Sequence, residues 1–205
     1  MTEQPDTKDL ILTAAMERIL HYGYSKTTMA EIARDCDMSA GNIYRFFDSK
    51  LDIAEALARR KTAKNQQTLS EIASRKGEPA LDRLEEFYLF RMTYSYDLLT
   101  ENPKLIELVD VMARERPEFG KDLLGKERVF VSDILKQGMA RGEVRQLENV
   151  DLLARTLQTA LIKFEYPPLW LPFTFEELES ELKNVLKLFQ YALNSGVECD
   201  QGKVR

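Results

Sequence analysis

The sequence has little of what builds metal centres or covalent scaffolds. It holds two cysteines, Cys36 and Cys199, far apart in the chain, and a single histidine, His21. That excludes a disulfide framework and leaves no Cys/His spacing suited to zinc. A Ser-His or Cys-His catalytic pair would have to use His21 or do without it. Glycine and proline number only 9 and 7, and no glycine-rich phosphate loop occurs. No apolar run approaches the roughly 18 residues of a membrane span. The polar, acidic stretch 2–9 does not read as a secretory leader, so the cytoplasm is the expected compartment. No cofactor and no metal site are expected. Enzymatic activity is not expected either; a carboxylate-only mechanism is the least favoured alternative, because nothing selects a pair.

Positive charge is also in short supply. The formal net charge is −5, and residues 1–64 carry ten Lys/Arg against ten Asp/Glu, so the rest of the chain holds the whole deficit. Such a chain does not attract a polyanion through a broad field. Any nucleic-acid contact must rest on a few placed cations and on backbone amides.

What is present is a helical pattern. Hydrophobic residues make up 44% and charged residues 31%, ordinary for a folded domain. Apolar residues recur at spacings of three and four, and no segment alternates as a strand would. The expected fold is all-α, with about nine helices: three short ones, then longer ones. A first helix is predicted over 8–22, closed by Gly23. Short helices follow over 29–36 and 40–46, started by the capping-box pair Thr28/Glu31 and by Ser39. A long helix is predicted from about 49 to 74. Further helices are expected after the break at Gly77-Glu78-Pro79, from Asn102-Pro103 to Arg116-Pro117, over 120–140, and from the cap Asn149 through Phe164. An apolar loop at 166–172 precedes a last helix, opened by the capping pair Thr174/Glu177 and ending before Gly196.

The segment 28–48 is the informative one. Two short helices joined by a tight turn must bury a shared core, which Met29, Ile32, Ala33 and Met38 supply from one side and Ile43 and Phe47 from the other. Asp37 falls where the chain turns sharply, and aspartate tolerates a left-handed backbone better than most residues. Ser39, Ala40, Asn42, Tyr44 and Arg45 are then left facing outward. Small residues at the start of that helix let it approach base edges, where Asn pairs with adenine and Arg with guanine. Lys50, in the first turn of the next helix, and Thr27 with Thr28 are placed to hold phosphates.

The run Gly23-Tyr24, Thr27-Thr28, Ile32-Ala33, Met38-Ser39, Gly41, Ile43-Tyr44, Phe46-Phe47 and Ser49-Lys50 resembles the TetR/AcrR family of transcriptional regulators over about residues 7–60. Cys36-Asp37-Met38 departs from the family's usual Ala-Gly-Val. The resemblance implies a three-helix DNA-binding head over 1–50 and a helical regulatory and dimerisation body over 51–205. It also implies that Lys50 is a phosphate contact and that the body takes a small-molecule effector.

In the body, Phe87, Arg91, Tyr94 and Phe164 combine aromatic surface with a charge and are the pocket candidates; ordinary core is the favoured reading of most of the aromatics, and surface salt bridges explain the charge equally well. Leu153, Leu157, Leu161, Leu178, Leu182, Val185 and Phe189 form apolar stripes on two helices. They fit either an intramolecular bundle or a four-helix interface between two copies, and the resemblance favours the homodimer. The function expected is a repressor bound to near-palindromic double-stranded DNA and released by an effector. A helical adaptor whose neutral head binds protein rather than DNA is the alternative.

Overall fold

The computed structural model describes residues 6–170 and 172–194. Cys199, Leu171, Gly196 and residues 2–5 of the acidic N-terminal stretch lie outside them. Among the described residues there are ten α-helices, one 3₁₀ turn and no strand. In order they are α1 Thr7–Tyr22, α2 Met29–Asp35, α3 Ala40–Ile43, α4 Lys50–Ser74, α5 Ala80–Glu101, α6 Leu105–Glu115, α7 Pro117–Ala140, α8 Val150–Ala160, α9 Ile162–Glu165 and α10 Phe175–Leu193, with the 3₁₀ turn at Pro167–Leu169. The expected helix over 149–164 is thus split, because the α-helical pattern lapses at Leu161.

The chain divides into two compact units, Met1–Asn65 with Asp97–Leu123, and Gln66–Tyr96 with Leu124–Arg205. Helices α4, α5 and α7 contribute residues to both. The residues that pack with the head therefore extend well past position 50.

In the first unit, Asp6 caps α1 and Thr28 caps α2 through the full reciprocal box with Glu31. Ile11, Ala15, Ile19, Ile32, Ala33, Ile43, Ile53 and Ala54 are at most 1% exposed and form its core. Burying each of these isoleucines contributes about 1.5–3 kcal/mol before entropy is counted, and each alanine about a third as much. Helix α2 packs on both α1 and α3. Helix α6 buries Leu105, Leu108 and Met112 on one face.

In the second unit, Leu69, Ile72, Leu84, Phe87, Met92, Ile134, Leu135, Leu157 and Leu182 are almost wholly buried. Arg83 is buried with them, and its Nη1 donates to the carbonyls of Ala73 and Arg75 and to Gln137 Oε1, each at 2.9 Å. A cation at the C-terminal end of α4 satisfies carbonyls that the helix itself leaves open. At the other end of the same corner, Glu143 accepts from the Ala80 amide at 2.7 Å and so caps α5.

Candidate functional site

The turn between α2 and α3 is built from backbone chemistry. Asp37 takes φ +53°, the left-handed conformation. The Met38 amide reaches the Ala33 carbonyl at 2.9 Å and the Asp37 amide reaches that of Arg34 at 3.1 Å. These are the two bonds of a Schellman closure, and they end α2 abruptly enough for α3 to start after only four intervening residues. Ser39 opens α3, its Oγ accepting from the Asn42 amide at 3.2 Å. The α-helix proper is shorter than the sequence predicts, ending at Ile43 rather than 46. The chain continues in tight turns, with Arg45 and Phe46 amides bonded three residues back to Asn42 and Ile43.

With Ile43 buried, α3 turns Ser39, Ala40, Tyr44 and Arg45 to solvent and leaves Asn42 half-buried. Tyr44 is 51% exposed, a large ring with no cover of its own. The five residues expected to read bases thus lie together on one short, outward element.

The residues expected to hold phosphates are arranged differently. Thr27 is fully buried, and its hydroxyl donates to the Gly23 carbonyl at 2.8 Å. It locks the loop before α2 and offers no side chain to a phosphate, which corrects the sequence reading: the pair Thr27-Thr28 is divided by the helix start, one in and one out. Thr28 is exposed, but its amide and hydroxyl both donate to Glu31 Oε2, at 2.9 and 2.8 Å. Those hydrogen bonds hold the Glu31 carboxyl below its ordinary range. Lys50 begins α4 and folds back, its Nζ donating to the Tyr24 carbonyl at 2.8 Å and lying 4.1 Å from the Tyr24 ring centroid. Burial pulls its pKa down, opposed by Glu107 and Glu31. Two of its three ammonium protons are left for another acceptor.

Two residues that sequence reasoning missed brace this unit. Glu107 on α6 accepts from the Ser25 amide and hydroxyl, and Arg116 bonds Asp52 at 2.9 Å and Glu55 at 3.0 Å on α4. Their sequence separations, 61 to 82 residues, carry no local pattern.

Residues 11–57 match the family described as bacterial regulatory proteins, tetR family. The match spans most of α1, the whole of α2 and α3 and the start of α4, so over this segment the chain is similar to the tetR family. Solved structures that it resembles are described as TetR-family transcriptional regulators. It is 26% identical over 140 residues to the fatty acid metabolism regulator protein of Bacillus subtilis (strain 168), covering 66% of this chain and 70% of that one. Its fold is similar to a transcriptional regulator of the TetR/AcrR family from Thermobifida fusca YX-ER1, with a TM-score of 0.68, 18% identity and coverage of 89% and 97%. It is equally similar to SmeT, the repressor of the Stenotrophomonas maltophilia multidrug efflux pump SmeDEF, with a TM-score of 0.68, 18% identity and coverage of 92% and 91%. SmeT is also known in a complex with triclosan.

In the second unit, Phe87, Arg91 and Phe164 are buried and Tyr94 is half-buried. Arg91 is committed to other protein groups: its Nε lies 2.6 Å from Glu127 Oε2, its Nη1 donates to the Glu165 carbonyl at 3.3 Å, and its Nη2 is 3.9 Å from Glu165 Oε2. Burial works against the guanidinium's charge, but Glu127 and Glu165 outweigh it and raise its pKa.

The apolar stripes also settle differently from the expectation. Leu157, Leu161, Leu178 and Leu182 are 0% exposed within the chain itself. They belong to its own core and leave no surface for a partner; of the expected set only Leu153, Val185 and Phe189 are half-exposed. The large apolar side chains in solvent on the same helices are Leu152 at 59%, Leu188 at 69% and Tyr191 at 70%. A cleft of about 470 Å³, lined by Arg128, Val129, Leu152 and Arg155, opens beside Leu152. A stripe that is apolar over a wide arc has an inner and an outer edge, and spacing alone places the outer edge one position off.

Proposed function

We propose that this chain is a repressor that binds a near-palindromic operator as a homodimer in the cytoplasm and is released when the second unit takes a small molecule. The observation that carries the reading is the outward set Ser39, Ala40, Tyr44 and Arg45 on α3, started by the Ser39 cap and aimed by the left-handed turn at Asp37. A helix N-terminus with small residues first and Tyr and Arg behind is shaped for a major groove. Lys50 and the exposed Thr28 flank it as backbone contacts, Thr28 by giving up its bond to Glu31.

The homodimer is supported by the exposed Leu152, Leu188 and Tyr191, apolar surface of a kind that marks an interface. Two copies would then set their α3 helices about 34–36 Å apart, one turn of B-DNA. Effector release is supported by the relatives' names, which include a fatty acid regulator and a repressor known with triclosan. An effector acts by favouring a spacing that no longer fits successive grooves.

The test is a gel shift with DNA from beside the protein's own gene. Tyr44→Ala should weaken binding by about tenfold, the worth of one good base-edge contact. Lys50→Ala should weaken all sequences alike and lower the salt slope by about 1. Tight binding left unchanged by both would overturn the proposed surface. The neutral head keeps the adaptor reading open, and salt separates the two: DNA affinity falls steeply as salt rises.

A further inference from the structure

One cluster in the second unit is left unexplained by packing. Glu165, whose side chain is 3% exposed, has no hydrogen-bond partner for either carboxylate oxygen. Gln66 donates to Glu127 Oε1 at 2.9 Å but leaves its own Oε1 unpartnered. The hydroxyl of Tyr88, which feels Glu165, Arg91 and Glu127, is unpartnered too, and its side chain is 3% exposed. Buried polar groups are nearly always paired, and a lone one signals a missing partner.

The missing partner's chemistry follows from what is left over. Arg91 is the cation that faces both Glu127 and Glu165. One cation against two carboxylates leaves a negative excess, centred on Glu165. Three of these four unpartnered atoms are pure acceptors. An anionic guest would add like charge in a low dielectric, and a neutral apolar guest would leave the carboxylate orphaned. Burial pushes the Glu165 carboxyl up to about 7, with Arg91 pulling the other way and Glu127 adding to the rise. That is the behaviour of a carboxylate short of donors.

We propose that this cluster is the effector subsite and that it takes a protonated organic amine, whose ammonium donates to the orphaned Glu165 carboxylate while its apolar part meets the aromatic side chains of the same segments. The proposal rests on the effector-release reading above and names the class of effector. Trp170, five residues after Glu165, stacks on Tyr96 with ring centroids 5.4 Å apart, and Phe164 adjoins Glu165 in the chain. Aromatic faces attract ammonium groups as well.

Trp170 is the sole tryptophan of the chain and lies in the second unit, so its fluorescence reports on that unit. The full-length protein is titrated with 4-phenylbutylamine, 4-phenylbutyrate and 4-phenylbutanol, which share one skeleton and differ in charge. The amine is expected to shift Trp170 emission saturably and to bind about tenfold more tightly than the carboxylate or the alcohol. Glu165→Gln should erase that preference while circular dichroism stays unchanged. Wild-type amine affinity should fall about fivefold from pH 7 to pH 6 as the carboxyl protonates, a readout that does not depend on the variant. Calorimetry in two buffers should show proton release on amine binding near pH 7.

Preference for the carboxylate or the alcohol, or an amine affinity indifferent to both pH and Glu165→Gln, overturns the proposal, and so does the absence of any amine binding. A gel shift keeps the two readings apart. Release of operator by 4-phenylbutyrate would preserve effector control and overturn the amine; amine binding that leaves the operator bound would preserve the subsite and overturn effector control through it.

Discussion

Ser25 gives both its amide and its hydroxyl to a single oxygen of Glu107, each at 3.0 Å. The loop that carries Ser25 lies between α1 and α2, and Glu107 stands in the first turn of α6. The same carboxylate sits where Gly23, at φ +91°, would carry a side chain: an added Cβ would come within 3.0 Å of Glu107 Oε1. Beside it, the Lys104 ammonium donates to the His21 carbonyl. The loop that positions the N-terminus of α2 is therefore held from outside the three-helix head, by residues that follow it by more than eighty positions.

Glu107→Gln tests this brace. The Ser25 amide, then its hydroxyl, hold the Glu107 carboxyl below its ordinary value. A depressed acid contributes stability above its unfolded pKa and loses it as pH falls through the folded one. The variant should lose about 1 kcal/mol in urea unfolding at pH 7, since charge-assisted bonds at the surface are partly screened. The gap between wild type and variant should close as the pH is lowered toward about 3. A gap that is constant with pH would show that the carboxylate's charge is not what holds Ser25.

Asp37 offers a test of the turn. Its φ of +53° costs a side-chain-bearing residue energy that glycine does not pay. Asp37→Gly relieves that strain but loosens the unfolded chain, for a net gain of about 0.5 kcal/mol. Asp37→Val should lose about 1–2 kcal/mol, because a branched Cβ is worst in this conformation. Thermal unfolding of the two variants checks the order; a valine variant as stable as the glycine one would mean that the left-handed turn is not formed.

Much of this is legible in the sequence, for reasons that are local. Thr28 with Glu31, Ser39 and Asp37 act on nearby backbone, so caps and turn can be read directly, and with them the outward set from Ser39 to Arg45. The break before α9 is hidden, since Leu161 and Phe164 keep the apolar spacing of one continuous helix. Thr27 escapes a sequence reading because two adjacent threonines look alike until the helix start fixes which one turns in; only then does its hydroxyl find the Gly23 carbonyl. The leucines of α8 and α10 suit a second copy as well as the chain's own core, because periodicity marks an apolar arc without saying what covers it. Glu127 is invisible for another reason. A glutamate in a helix reads as solvated, and its burial to 1% exposure follows only from Arg91, 36 residues earlier.

That pair gives a prediction on stability. Arg91→Met would leave Glu127 and Glu165 buried without their cation. Removing one partner of a buried pair costs about 3–5 kcal/mol, whereas exchanging both for apolar residues is often neutral. Arg91→Met should therefore be strongly destabilising in chemical denaturation, and Arg91→Met combined with Glu127→Leu should recover a substantial part of the loss. A double variant no better than the single one would mean that packing volume, not the stranded charge, sets the cost.

Glu165 makes the stability of the second unit depend on pH in the opposite sense to Glu107. Burial lifts its folded pKa to about 7 from the ordinary 4.5. Between those values the native protein binds more protons than the unfolded chain, so stability falls as pH rises through the window and levels off above it. Each tenfold change in proton affinity is worth about 1.4 kcal/mol, which makes the whole effect on the order of 3 kcal/mol. Glu165→Gln removes the titrating group and keeps the shape. Its stability should match that of the wild type near about pH 4 and exceed it near about pH 8. Because every other titrating group is common to both proteins, the difference isolates Glu165. Parallel curves for the two proteins across that range would mean that the buried carboxyl keeps the same proton affinity folded and unfolded, and the orphaned oxygens would then have a partner after all.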